Sequence, residues 1–188
     1  MLDDRTALLV VDLQAITLGN ARTRPPQELL AEVASLIAVF RARGLPLWHV
    51  ATTGIPRGTT NYSQGARAWT AEQAAIAPDV APMAGEPIVR RAAWSAFANT
   101  DLAAQLDDAG VETVVIVGLA TPFGIESTAR SAYDLGYSVI VPTDAVAAPD
   151  PAAHEWTLTR VIPLLGRTVT VAELISGAPD AANHQEES

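Results

Sequence analysis

Three parts of the chain carry residue types that could do chemistry together. The first is Asp12, a carboxylate closing the apolar run Ala7-Leu-Leu-Val-Val, with Gln14 two residues on. A carboxylate at the end of a buried strand is partly desolvated, which raises its pKa toward a value useful for proton transfer. A neighbouring cation would pull that pKa the other way. The second part is the pair Arg90 and Arg91, after Pro87-Ile-Val. A guanidinium stays charged at any working pH, so it suits orienting a carboxylate or binding a planar anion rather than moving protons. Strand alternation sends the two side chains to opposite faces, so only one of them should reach a site shared with Asp12. The third part is the turn from Gly118 to Gly124. It follows the β-branched run Val114-Val-Ile-Val and opens a helix, whose first N–H groups lack internal partners and point along the positive end of the helix dipole. Such a turn can hold an anion or an oxyanion. Thr121 reads as the N-cap and Pro122 as the first helical residue.

The elements that must position these groups alternate. Strands are expected near 6–12, 46–51, 87–91, 113–118, 138–142 and 167–171, and helices near 26–43, 100–109, 122–135, 152–164 and 171–176. In the first helix, Leu29, Val33, Leu36, Ile37 and Phe40 fall on one face and Gly44 ends it. Alternation of this kind predicts an α/β fold of three layers, α-β-α, around a mostly parallel six-stranded sheet. Residues 52–86 form a long Gly- and Pro-rich segment with no clear strand, the kind of segment that serves as a lid, a binding loop or an oligomer contact. Tyr62 and Trp69 lie in it and could cover a ligand or an interface. A single domain over 1–178 and a polar, disordered tail over 179–188 are expected.

Composition excludes several classes. The chain has 188 residues, 49% of them hydrophobic, enough for a sizeable core. It contains no cysteine, which removes disulfides, thiolate metal sites and a thiolate nucleophile. The net charge of −9 argues against nucleic acid or an anionic membrane surface as partner. No apolar run reaches membrane-spanning length and no signal-peptide pattern opens the chain, so a cytoplasmic protein is the default expectation. The Gly118–Gly124 turn is neither G-x-G-x-x-G nor a Walker A loop, and no cofactor follows from it.

Asp12-Leu-Gln14, Ser95-Ala-Phe97 with Thr100-Asp-Leu102, and Gly118-Leu-Ala-Thr-Pro-Phe-Gly-Ile-Glu-Ser-Thr-Ala-Arg130 occur in order, each after an expected strand. Together they resemble the isochorismatase-like hydrolase family, which includes nicotinamidases and related cysteine amidohydrolases. The resemblance runs from about Thr6 to Leu174. It implies sheet order 3-2-1-4-5-6, with ligands bound beyond the carboxyl ends near the switch between strands 1 and 4. It also implies an Asp–Lys–Cys triad, onto which Asp12, Arg91 and Gly124 align. Here the lysine is arginine and the cysteine is glycine, as it also is in the isochorismate-cleaving branch. The resemblance further implies a cis Leu119–Ala120 peptide, the Ala120 and Gly124 amides facing the pocket, and a homodimer or homotetramer. The metal site of nicotinamidases, with an aspartate and two histidines after the second strand, has no counterpart beside His49, so no metal is expected.

The resulting expectation is a cysteine-independent hydrolase of a small polar or anionic metabolite. Asp12 would act as general acid and base, and Arg91 with the turn amides would hold negative charge. Gln14, Trp94, Phe97, Thr121, Tyr62 and Trp69 are the candidate substrate contacts, Phe97 being equally a core residue. The alternative is a catalytically inactive pseudoenzyme that keeps a ligand pocket or serves as an oligomeric partner. His154 is expected to be structural, and Glu126 with Arg130 a helical ion pair.

Overall fold

The computed structural model describes residues 2–177; the expected tail at 179–188 lies outside them. In chain order its strands are β1 (Thr6–Val11), β2 (Leu47–Thr52), β3 (Gly54–Ile55), β4 (Arg67–Ala68), β5 (Ile88–Arg91), β6 (Thr113–Leu119), β7 (Ser138–Pro142), β8 (Val146–Ala147) and β9 (Arg167–Val169). The helices are α1 (Pro26–Ala42), α2 (Leu102–Asp108), α3 (Glu126–Asp134), α4 (Pro151–Trp156), α5 (Ile162–Leu165) and α6 (Val171–Ser176). Two π-helical turns, Thr121–Ile125 and Thr157–Val161, lead into α3 and α5.

β1 is buried along its whole length because parallel neighbours flank it on both sides, β2 and β6. Its side chains alternate between two cores. Leu8 and Val10 join the cluster under α1 and α6, whereas Ala7, Leu9 and Val11 join the one containing residues of α2, α3 and α5. On α1 the buried positions are Leu29, Leu30, Val33, Leu36, Ile37 and Phe40, an apolar stripe at helical spacing. Gly44, at φ +66, takes the left-handed turn that lets Leu45 N–H close back on Phe40 C=O at 2.9 Å.

The sheet path is β5-β2-β1-β6-β7-β9, all parallel, with β8 pairing β6 as a short seventh strand. The six long strands therefore follow the expected 3-2-1-4-5-6 order. The expected six strands omit β8, whose two residues are too short to carry a period-2 pattern. They also omit the β3–β4 ribbon, which forms inside the segment read as strandless. Within that segment residues 70–77 dock on the chain after β1: Ala15 N–H donates to Ala75 C=O, Ile16 N–H to Gln73 C=O, and Ala77 N–H to Leu13 C=O.

Candidate active site

β1 and β6 lie side by side and end at the same edge, so Asp12 and the turn after Leu119 meet there. The approach is close. Gly118, at φ +111, runs so near β1 that an added Cβ would stand 2.0 Å from Val11 C=O, a place only glycine can fill. An added Cβ on Gly124 would stand 3.4 Å from Asp12 Oδ2, 3.4 Å from Val11 Cγ1 and 2.9 Å from Leu119 C=O. Asp12 itself takes a left-handed backbone, φ 52, at the point where β1 gives way to the loop. Its N–H donates to Val50 C=O, and its C=O accepts the Thr17 hydroxyl.

Arg91 holds the Asp12 carboxylate with both prongs of its fork. Nη1 donates to Oδ1 and Nη2 to Oδ2, each at 2.8 Å, and Nη2 also donates to Trp94 C=O at 3.1 Å. The Arg91 side chain is 1% exposed and that of Asp12 12%. Burial pushes the Asp12 carboxyl above the usual carboxylate range, against the opposing pull of the guanidinium. Arg91 thus orients Asp12. With both terminal nitrogens committed, and with Arg91 outside the residues that line the cavity, it is not placed to hold substrate charge as the sequence reading allowed. Arg90, one residue earlier on β5, is exposed on the other face.

A cavity of about 180 Å³ opens over this pair. Asp12, Ala120, Gly124, Trp69 and Trp94 line it, together with Thr17, Asn20, Thr52, the stretch Gly54–Pro56, Ala92, Ala93, Leu119 and Phe123. The Trp94 ring, 58% exposed, tilts against Phe123 with centroids 4.9 Å apart, so two aromatic faces form the mouth. Arg67 lies over Trp69, 5.3 Å from the ring centroid. Asp12 is the one ionisable group among the lining residues.

The turn itself departs from an ordinary helix start. Ile125 N–H reaches Ala120 C=O at 3.3 Å, and Glu126 N–H reaches Thr121 C=O, giving the wider π spacing. Leu119–Ala120 is cis. Thr121 is not the N-cap; Ala120 precedes the turn, and no side chain caps it. The buried Thr121 hydroxyl instead bridges Ala147 C=O, at 3.1 Å, and His154 Nδ1, at 2.8 Å, fastening the turn to β8 and α4.

Four other expected contacts lie away from the cavity. Gln14 is fully buried; its Oε1 accepts from Thr52 N–H at 2.8 Å, and its Nε2 donates to Thr52 C=O at 3.0 Å and Ala74 C=O at 2.7 Å. It is a frame residue, because an amide has both donors and acceptor to join two strands of chain. Thr121 is taken up by its bridge. Phe97 stacks on Tyr137 at 6.0 Å and packs against the core, drawn under the surface by apolar neighbours. Tyr62 is fully exposed, on a stretch whose hydrogen bonds around it, Tyr62 N–H to the Thr60 hydroxyl and Thr60 N–H to Ser63 C=O, are local. Of the residues that sequence reasoning missed, Phe123 sits inside the quoted turn, where its place beside Gly124 could have marked it. Thr17, Asn20, Thr52 and Ala92 carry no pattern of their own.

Among the described residues no group of three His, Asp or Glu side chains could hold a metal ion. His49 faces α1, not Asp12, and pairs with Glu86 at 3.2 Å. Glu126 and Arg130 form the expected i,i+4 pair at 2.9 Å, and Glu126 also accepts from Thr157.

Comparison with known proteins bears directly on this arrangement. Residues 6–173 match the isochorismatase domain. The isochorismatase family protein YwoC of Bacillus subtilis is 31% identical over 178 residues, covering 91% of this chain and 93% of its own. A streptothricin hydrolase of Streptomyces noursei is 31% identical over 196 residues, covering 93% of this chain and 68% of its own. The solved structure of an isochorismatase family protein from Burkholderia thailandensis superposes with a TM-score of 0.88 at 32% identity, over 94% of this chain and 96% of that one. An α/β sheet that brings a strand-end acid onto a glycine turn, together with these matches, makes the chain a member of the isochorismatase family.

Proposed function

We propose that this protein hydrolyses a small polar substrate in the Asp12 cavity without forming a covalent enzyme intermediate. One observation carries the reading: the space a side chain at position 124 would fill lies 3.4 Å from Asp12 Oδ2. Gly124 leaves that space to substrate or water, directly against an acid whose burial holds its proton more tightly than usual. In the first step the Asp12 carboxyl gives its proton to the substrate, at an enol-ether carbon or at the departing heteroatom. In the second the carboxylate takes a proton from the water that adds, so one water is consumed and Asp12 is restored. Arg91 positions the carboxyl and does not touch the substrate. The turn amides at Ala120 and Gly124 are the donors proposed for negative charge on the substrate, a role that needs no side chain. With no free cation on its wall, the cavity favours an uncharged substrate over the anionic one the sequence also allowed. Streptothricin hydrolase among the relatives supports hydrolysis as the reaction type.

The test is turnover of small uncharged primary amides, with the charged isochorismate and streptothricin as the disfavoured comparison, by wild type and Asp12→Asn. The expected result is hydrolysis of at least one, lowered by on the order of a hundredfold or more in the variant. Equal rates in both proteins would remove Asp12 from the chemistry. A second reading, a binding protein without turnover, is favoured by the Arg91 fork, which engages both carboxylate oxygens. Saturable binding of a panel member with no product would select it.

A further inference from the structure

A second concavity, of about 420 Å³, shares Thr52 with the Asp12 cavity and is lined by Gln14 as well. Its floor and sides are small and apolar: Ala51, Ala71, Ala74, Ala75, Ile76 and Ala81, with Pro82. Thr53 adds a hydroxyl, and the guanidinium of Arg90 stands on this wall, beside Ala51 in the strand register. No carboxylate lines the groove.

The Arg90 side chain has no ion pair or hydrogen bond to any described residue, unlike that of the other arginine in the neighbourhood. Arg41 reaches the groove through Ala81, donating from Nη2 to its C=O at 3.1 Å, but its charge is answered by Glu86, in a bidentate pair at 2.7 and 2.8 Å. The groove therefore carries one uncompensated positive charge in a chain whose net charge is −9. Its frame is held in place: Gln14 ties Ala74 to Thr52, and Ala15 and Ile16 pair with Ala75 and Gln73. A preformed alcove with alanine walls and one free fork matches a particular chemistry, a short aliphatic body ending in a carboxylate.

We infer that this groove is a binding site for a small aliphatic carboxylate, seated with its chain against the alanine wall and its carboxylate on Arg90. The site is separate from the Asp12 cavity, and its occupancy does not depend on whether Asp12 catalyses anything. A free small molecule fits the groove better than a second copy of the chain, because a volume of about 420 Å³ walled by alanines is the size of a small-molecule site.

Butyrate and its uncharged counterpart butyramide are the probes, titrated into the full-length protein and followed by amide and Arg Nε–H resonances. The expected result is saturable shifts at Thr53, Ala74–Ile76 and Arg90 with butyrate. Butyramide, and butyrate with Arg90→Met, should bind on the order of tenfold more weakly or not at all. The resonances of the β1 core should be unchanged in that variant, which reports an intact fold. Butyrate shifts scattered over the surface, butyramide binding as tightly as butyrate, or an undiminished response in Arg90→Met would each overturn the inference. So would shifts at the same residues on raising protein concentration alone, which would give the groove to a second copy.

Discussion

Arg90 and Arg91 are neighbours on one strand and live in opposite worlds. Arg91 is buried, its fork closed on Asp12, and it holds the acid of a 180 Å³ cavity that it does not itself line. Arg90 is exposed and unpaired and edges a groove of 420 Å³. The contrast teaches that residue type says little about a cation's work. What decides it is whether the fold provides a desolvated partner. β5 alternates: the face of Arg91 offers the buried Asp12, while the carboxylate on the other side of the sheet, Glu86, is already held by Arg41.

The comparison can be broken most sharply at Arg91. Arg91→Ala leaves the Asp12 carboxylate buried without its partner, and such a loss costs about 3–5 kcal/mol. Urea unfolding should show that fall in stability; a loss below about 1 kcal/mol would mean that the fork is not what keeps the acid in place. Gly124→Ala comes next. Its Cβ would meet Leu119 C=O at 2.9 Å, so the turn must yield, at about 1–3 kcal/mol, and the new methyl would narrow the space beside Asp12. Stability and turnover, measured together, should both fall; unchanged turnover would show that the space is unused.

Acid should separate two carboxylates that face opposite sides of the sheet. Arg41 beside Glu86 holds its carboxyl down at about 2, from an ordinary 4.5. A depressed folded-state pKa contributes stability that is present above the ordinary value and is lost as pH falls toward the folded one. Glu86→Gln should therefore flatten the decline in the urea midpoint between about pH 4.5 and 2. Asp12 has the opposite sign, because its carboxyl is raised. Its contribution favours the fold at low pH and fades as pH rises through the folded value, so Asp12 cannot account for acid unfolding. If the decline survives Glu86→Gln unchanged, another carboxylate carries it. The smallest effect belongs to Arg90→Ala, expected to change stability by no more than about 0.5 kcal/mol, since it breaks no pair. A larger loss in the same urea experiment would mean that Arg90 supports the sheet edge.

Much of this was legible in the residues. The strands themselves and the opposite facing of the two arginines follow from local runs and alternation, whereas strand order and the meeting of Asp12 with the turn come from the family resemblance. What escaped has a common cause. β8 and the β3–β4 ribbon are two residues long, below the length at which a period can be read. Thr121 looked like a cap because its type suits one, but Ala147 C=O and His154 competed for its hydroxyl, and neither is near it in sequence. Gln14 was placed near Asp12 by proximity along the chain, while its amide found two other segments to join. Thr17, Thr52 and Ala92 reach the cavity because loops fold over the sheet edge, and no spacing announces such an approach. The relative worth of burial and of Arg91 for Asp12 was undecidable from sequence, since it depends on distances.

Gln14 has one more implication. Its amide holds Thr52, which lines both hollows, and Ala74, which lines only the second. Trimmed to alanine, position 14 would lose these three fastenings at once, and the walls of both hollows would loosen together. One uncharged side chain therefore links the shape of the acid's cavity to that of the arginine's groove, through Thr52.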